Sequence, residues 1–119
     1  MNYSTIPYDG ALNYLLRYAV DDWLEMAIVV DHANQVLGAE ATKGEIVDMT
    51  IRLSADLIDH QVLPGELVAQ DPGFRAWPGG KKDLMDRLGR ELREMVARDR
   101  LPMPTEVCWF HVVDPNMGM

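Results

Sequence analysis

Apolar and polar positions follow their clearest period between Thr42 and His60, in the stretch TKGEIVDMTIRLSADLIDH. Plotted at about 100° per residue, Ile46, Met49, Leu53 and Leu57 form one stripe, and Val47, Ile51 and Ile58 form a second beside it. Glu45, Asp48, Arg52, Asp56 and Asp59 share the narrow sector that remains. Thr42 and Glu45 have the spacing of a capping box, in which the threonine hydroxyl accepts from the third helical N–H and the glutamate reaches back. A helix apolar over more than half its circumference must be covered from two sides. The pattern therefore predicts a central element around which the others pack.

On the N-terminal side, residues 1–8 carry no period and read as a loosely held tail. Asp9 can cap a short helix from Gly10 to Ala19, with Leu12, Leu15, Leu16 and Ala19 on one side. Asp21 and Asp22 offer a fresh cap, strengthened by Glu25, for a helix that carries Trp23, Met26, Ala27, Val30, Ala33 and Leu37 and stops at Gly38. These pieces can be two helices or one kinked helix. MAIVV alone could be a strand, but its length, caps and glycine stop favour helix.

Beyond the central helix, Leu63-Pro64-Gly65 reads as a turn. Leu67-Val68-Ala69 and Phe74-Arg75-Ala76-Trp77 read as two short extended arms around Asp71-Pro72-Gly73. Leu84, Leu88, Leu92 and Met95 predict a third clear helix over 81–100, with Arg87–Glu91, Arg90–Glu94 and Glu94–Arg98 as outer i,i+4 pairs. Pro102 and Pro104 stop it. Val107 to Val113 is β-branched and aromatic, which predicts a strand paired with the Leu67 or the Phe74 segment. Residues 114–119 read as a tail. Three main helices and a small antiparallel sheet make an α+β fold, and a winged-helix-like arrangement is one concrete version.

The length of 119 residues suits a single domain over 1–119, with no repeat, low-complexity tract or linker to divide it. One cysteine, Cys108, excludes an internal disulfide. The start, MNYSTIPYDGAL, lacks a basic segment followed by an apolar run, and the longest apolar stretch, Met26 to Val30, is far shorter than a bilayer span. The expectation is a cytoplasmic protein without membrane association.

Charge changes the picture more than composition does. The net charge is −8, but residues 1–72 hold twelve acids against three bases, while residues 81–100 hold seven bases against five acids. An acidic surface repels phosphate and suits a basic protein partner. The rival reading is a DNA-binding regulator that uses the basic 81–100 helix, in the manner of a winged helix. Five acids on that helix and the negative remainder of the chain weigh against it.

Candidate chemistry is sparse. Cys108 sits in the most apolar segment, where a thiol is a small inert hydrophobe. Ser4 and Ser54 lack the glycines of a nucleophile elbow. His32, His60 and His111 show no metal-ligand spacing, and His60 fits a favourable contact with a helix C-terminus. Pro78-Gly79-Gly80-Lys81-Lys82 precedes a helix and could dock an anion, although it lacks P-loop spacing. No catalytic residue, metal site or cofactor is expected. The candidate partner-binding residues are Glu45, Asp48, Asp56 and Asp59 on the strip, with Trp77 and Trp109 from an aromatic group that includes Phe74 and Phe110.

The C-terminal half, with LPGELV, GFRAW, a charged amphipathic helix and EVCWFHVVDP, resembles a group of small acidic bacterial proteins of uncharacterised activity. That group pairs a "gDL…F..W" segment with a terminal "CWF" strand. Proteins of this size and charge also look like immunity proteins and antitoxins. The resemblance covers about half the chain and implies a fold and a bacterial origin, with no site residues transferred. It implies a non-enzymatic protein that neutralises a toxin by direct binding.

Overall fold

The capping box at Thr42 is formed: Glu45 N–H donates to the Thr42 hydroxyl at 3.1 Å, and Thr42 N–H donates to the Glu45 carboxylate at 2.8 Å. The computed structural model describes residues 5–70 and 73–113. In chain order these form α1 (Thr5–Asp21), β1 (Leu24–Glu25), α2 (Met26–Leu37), α3 (Lys43–Asp59), β2 (Val62–Leu67), β3 (Phe74–Ala76), α4 (Lys81–Ala97) and β4 (Trp109–Val112). The expected α+β fold is present, with four helices and one antiparallel sheet in the order β1-β4-β2-β3.

Helix α3 is the hub, touching α1, α2, α4 and β2. Ile46, Val47, Leu53, Leu57 and Ile58 are buried, and so are Thr50 and Ser54 on the side away from the polar strip. Thr50 satisfies its hydroxyl by donating to the Ile46 carbonyl at 2.8 Å, which lets a polar residue sit within the core. The core continues through Leu15, Leu24, Met26, Val29, Leu88, Leu92 and Phe110.

Several local expectations are corrected. Residues 5–8 belong to α1, not to a tail, and Tyr8 lies in the core at 6% exposure. Pro7 falls in the first turn, where a missing N–H forfeits no helical bond, so Asp9 is not the cap. Trp23 is not helical: Leu24 and Glu25 pair with Phe110 and Trp109, and α2 begins only at Met26. Two residues of strand are too short to show a period of their own.

Pro64 and Gly65 lie inside β2 instead of a turn. The register sets Pro64 against Phe110 on one side, while its carbonyl accepts Trp77 N–H at 2.9 Å on the other, one residue past the end of β3. The missing proline N–H therefore falls beyond the ladder. Gly65 is required because a Cβ there would lie 2.7 Å from Phe74 Cζ and 2.8 Å from Ala76 Cα. The β2–β3 hairpin expected around residues 71–73 is closed by Gly73 N–H donating to Gln70 O at 2.7 Å; positions 71 and 72 lie outside the described residues. The expected tails at 1–4 and 114–119 lie outside them too.

Strand β4 pairs with β2 and with β1, not with β3. The segment before it is braced by Arg100, whose two Nη atoms donate to Glu106 at 2.8 and 3.0 Å. That bidentate pair, with Met103 N–H, holds the Glu106 carboxyl down at about 2.

Substituting Gly65→Ala should lower unfolding stability by about 2 kcal/mol, the cost of forcing extra atoms into filled space. Gly89→Ala, within α4 and with nothing near its Cβ position, should raise it by about 0.5–1 kcal/mol. Urea denaturation of both variants checks the pair.

Candidate partner-binding surfaces

The acidic strip of α3 is a seam. Helix α4 flanks it on one side, where Arg93 pairs with Asp48 at 3.1 Å and Lys81 pairs with Asp59 at 2.7 Å. Helix α1 flanks it on the other, where the Tyr8 hydroxyl donates a short hydrogen bond to the Asp56 carboxylate. The guanidinium of Arg52 lies 4.3 Å from the centroid of the same tyrosine ring. Glu45 is engaged in the capping box. All four acids proposed from the sequence therefore face partners within the chain, and the strip presents little uncompensated charge. Burial, and then the adjacent Asp56 carboxylate, push the Tyr8 phenol well above its ordinary value.

The aromatic group divides in two. Trp77 is 5% exposed and packs into the core, and Arg87 closes over its ring with the guanidinium carbon 3.6 Å from the centroid. Arg87 is itself held by Glu91 at 2.9 Å and approaches Glu66 at 3.8 Å. Trp77 thus offers no ring to a partner. Phe74 and Phe110 are buried as well. Trp109 is half-buried on the sheet face opposite Phe110, between Glu25 and Gly65 on the neighbouring strands. Of the residues singled out, it alone keeps an accessible aromatic surface.

The uncompensated acids lie elsewhere. Asp9, Asp21, Asp22, Asp31 and Glu40, on and after α1 and α2, are exposed and make no ion pair among the described residues. On the same pair of helices Tyr14 is 51% exposed and Val20 is 68% exposed. Tyr14 stacks on His32 of α2, with centroids 4.6 Å apart and 22° between planes, and stands 6.2 Å from Tyr18. Two hollows open beside it. One, of about 360 Å³, lies between α1 and α2, and the other, of about 280 Å³, runs along α1 past Arg17 to Asp21. The i, i+4 recurrence of Tyr14 and Tyr18, outside the apolar stripe of α1, was the sequence signal for this surface.

The basic helix is largely spent on the chain itself. Lys81, Lys82, Arg87, Arg93 and Arg100 all form ion pairs, which leaves Arg90 and Arg98 without one among the described residues. Of the three expected i,i+4 pairs, only Arg87–Glu91 closes. The hairpin that would play a wing follows α3, not α4. In the Pro78–Lys82 segment, Asp83 already accepts Gly80 N–H at 3.3 Å, and Lys81 and Lys82 pair with Asp59 and Asp86. Cys108 is buried, and that burial pushes its thiol well above the usual value. His60 meets the Asp56 carbonyl at the C-terminus of α3, and His111 stands edge-on to Trp23 and Phe74. Among the described residues no three His, Cys, Asp or Glu side chains converge on a metal position, and no helix is long and apolar enough to cross a membrane.

Tyr8→Phe should leave the ring on Arg52 but strip Asp56 of its donor, at a cost of about 1–2 kcal/mol. The neutral phenol is favoured in the folded state, so its contribution is present below the ordinary value of 10.0 and fades as the pH rises above it. Wild type should therefore lose more stability than the Phe variant between about pH 8 and about pH 11, as read by urea denaturation at both.

No protein-family model matches the chain, and no curated protein and no solved structure shows detectable similarity to it, so the geometry alone carries the functional reading.

Proposed function

We propose that this chain is a non-enzymatic protein-binding module of the immunity type, which neutralises a basic bacterial toxin in the cytoplasm by direct contact. The observation that carries the reading is the concentration of exposed acids without ion pairs among the described residues, with the exposed ring of Tyr14 between them, on and after α1 and α2. Charges that are not satisfied within the fold project their field into solvent. Such a field accelerates encounter with an oppositely charged partner and disfavours nucleic acid. Tyrosine supplies large contact area at low entropic cost, which suits the centre of an interface. Trp109 and the sheet face around it form a second, less charged surface on which the same partner could extend.

The reading assigns the binding role to α1 and α2 instead of α3, where the sequence placed it. Immobilised protein exposed to an extract of its own cells should capture one basic protein at low salt. The association rate with that purified protein should fall more than tenfold between about 20 mM and about 300 mM salt. The variant D9N/D21N/D31N should associate slowly at both salt concentrations. Capture of nothing at low salt, or a rate indifferent to salt and to the three substitutions, would overturn the reading. A steeply salt-dependent affinity for duplex DNA would move it to Arg90 on α4 and Arg98 just past its C-terminus.

A further inference from the structure

We infer that the connection between α4 and β4 is a latch. The ion pair of Arg100 with Glu106 holds a strained turn at Val107 shut, and its release lets residues 105–108 lift away from the start of α2 while the helices stay folded. The inference does not depend on what binds α1 and α2. Among the described residues four non-glycine positions have positive φ, and three of them lie in this one connection: Asp99 at 58°, Thr105 at 73° and Val107 at 72°. Aspartate tolerates that region, whereas a β-branched side chain is strained in it.

Thr105 and Val107 flank Glu106, and each sits inside a closed turn. Glu106 N–H donates to the Met103 carbonyl at 3.0 Å, which puts Thr105 at the turn position that ordinarily takes glycine or asparagine. Cys108 N–H donates to the Glu106 carbonyl at 3.0 Å across Val107, a three-residue turn in its rarer, strained sense. Backbone strain of this kind persists only where the surroundings over-determine it. Here the determinant is the Glu106 carboxylate, which accepts from both Nη atoms of Arg100 and from Met103 N–H at 2.9 Å.

The strained turn delivers the chain to β4. The Cys108 carbonyl accepts the N–H of Met26, the first residue of α2, at 3.2 Å. From Trp109 onward the strand is paired on both sides, with Glu25 of β1 and Gly65 of β2, so the opening ends there. Arg100 and Glu106 are partly exposed to solvent, and salt or a competing ion therefore reaches the clasp. An open latch unpins the start of α2 and bares Cys108, whose side chain is buried when the latch is shut.

Cys108 is the only cysteine, so its labelling by iodoacetamide reads the open state without any added probe. In the wild type, labelling below the unfolding transition should depend little on urea, because a short local opening exposes little surface. Glu106→Gln should speed labelling about fivefold to tenfold by weakening the bonds from Arg100. Thr105→Asn, at an exposed position, should slow it about threefold by relieving strain in the closed turn. Raising salt from about 20 mM to about 500 mM should speed the wild type and leave Glu106→Gln unchanged. Labelling with the full urea dependence of global unfolding would overturn the latch. Equal rates in wild type and Glu106→Gln, or faster labelling in Thr105→Asn, would overturn it as well.

Discussion

A helix that must be covered on nearly every side dictates the rest of this structure. Helix α3 buries two apolar stripes and, behind them, Thr50 and Ser54, so α2, α4, α1 and β2 all have to reach it. Burial of this kind is the dominant favourable contribution to folding, and each large side chain removed from water contributes roughly 1.5–3 kcal/mol. The only uncovered sector is the polar strip. Once α1 and α4 have closed on the apolar stripes, their edges meet at that strip. Acids there are then best matched by bases and donors on the incoming helices, and Arg93, Lys81 and Tyr8 supply them.

The location of the outward field follows from this internal matching. Exposed ion pairs add little stability, typically less than about 1 kcal/mol each, but they cancel charge locally. Pairing along the seam quiets the negative potential of α3 and engages Lys81 and Arg93 of α4, while Lys82 and Arg87 pair with acids of α4 itself and of β2. Among the described acids without an ion pair, Asp9, Asp21, Asp22, Asp31 and Glu40 lie on and after α1 and α2, beside the single base Arg17, while Glu94 is exposed on α4. Exposed acids of this kind are well hydrated, repel one another weakly and project a negative field into solvent.

The parts of the fold that depend on local chemistry were legible in the sequence. Thr42 and Glu45 announced the start of α3, the leucine spacing announced α4, and the Pro-Gly pair at 72–73 announced the β2–β3 hairpin. The parts that depend on distant partners were not. Leu24 and Glu25 become a strand only because β4 arrives beside them, and Pro64-Gly65 is extended because it pairs with β4 and β3, with Phe74 filling the space over Gly65. The internal partners of the candidate site were hidden for the same reason. Asp48, Asp56 and Asp59 look like a free acidic ridge until Arg93, Tyr8 and Lys81 are placed against them, and each of those lies more than twenty residues away in the chain. Trp77 looked like an exposed anchor until Arg87 was placed over its ring.

The central claim is that the strip acids of α3 are engaged within the fold while the acids of α1 and α2 are not, and a comparison of two isosteric neutralisations tests it most directly. Urea denaturation of D48N/D56N/D59N should show a loss of about 1–2 kcal/mol, from two ion pairs and from the Tyr8 hydrogen bond, whose acceptor changes from a carboxylate to a weaker amide oxygen. The same measurement on D9N/D21N/D31N should show no loss, or a small gain from relieved repulsion. Equal stability of wild type and the strip variant, with a marked loss in the other, would contradict the account.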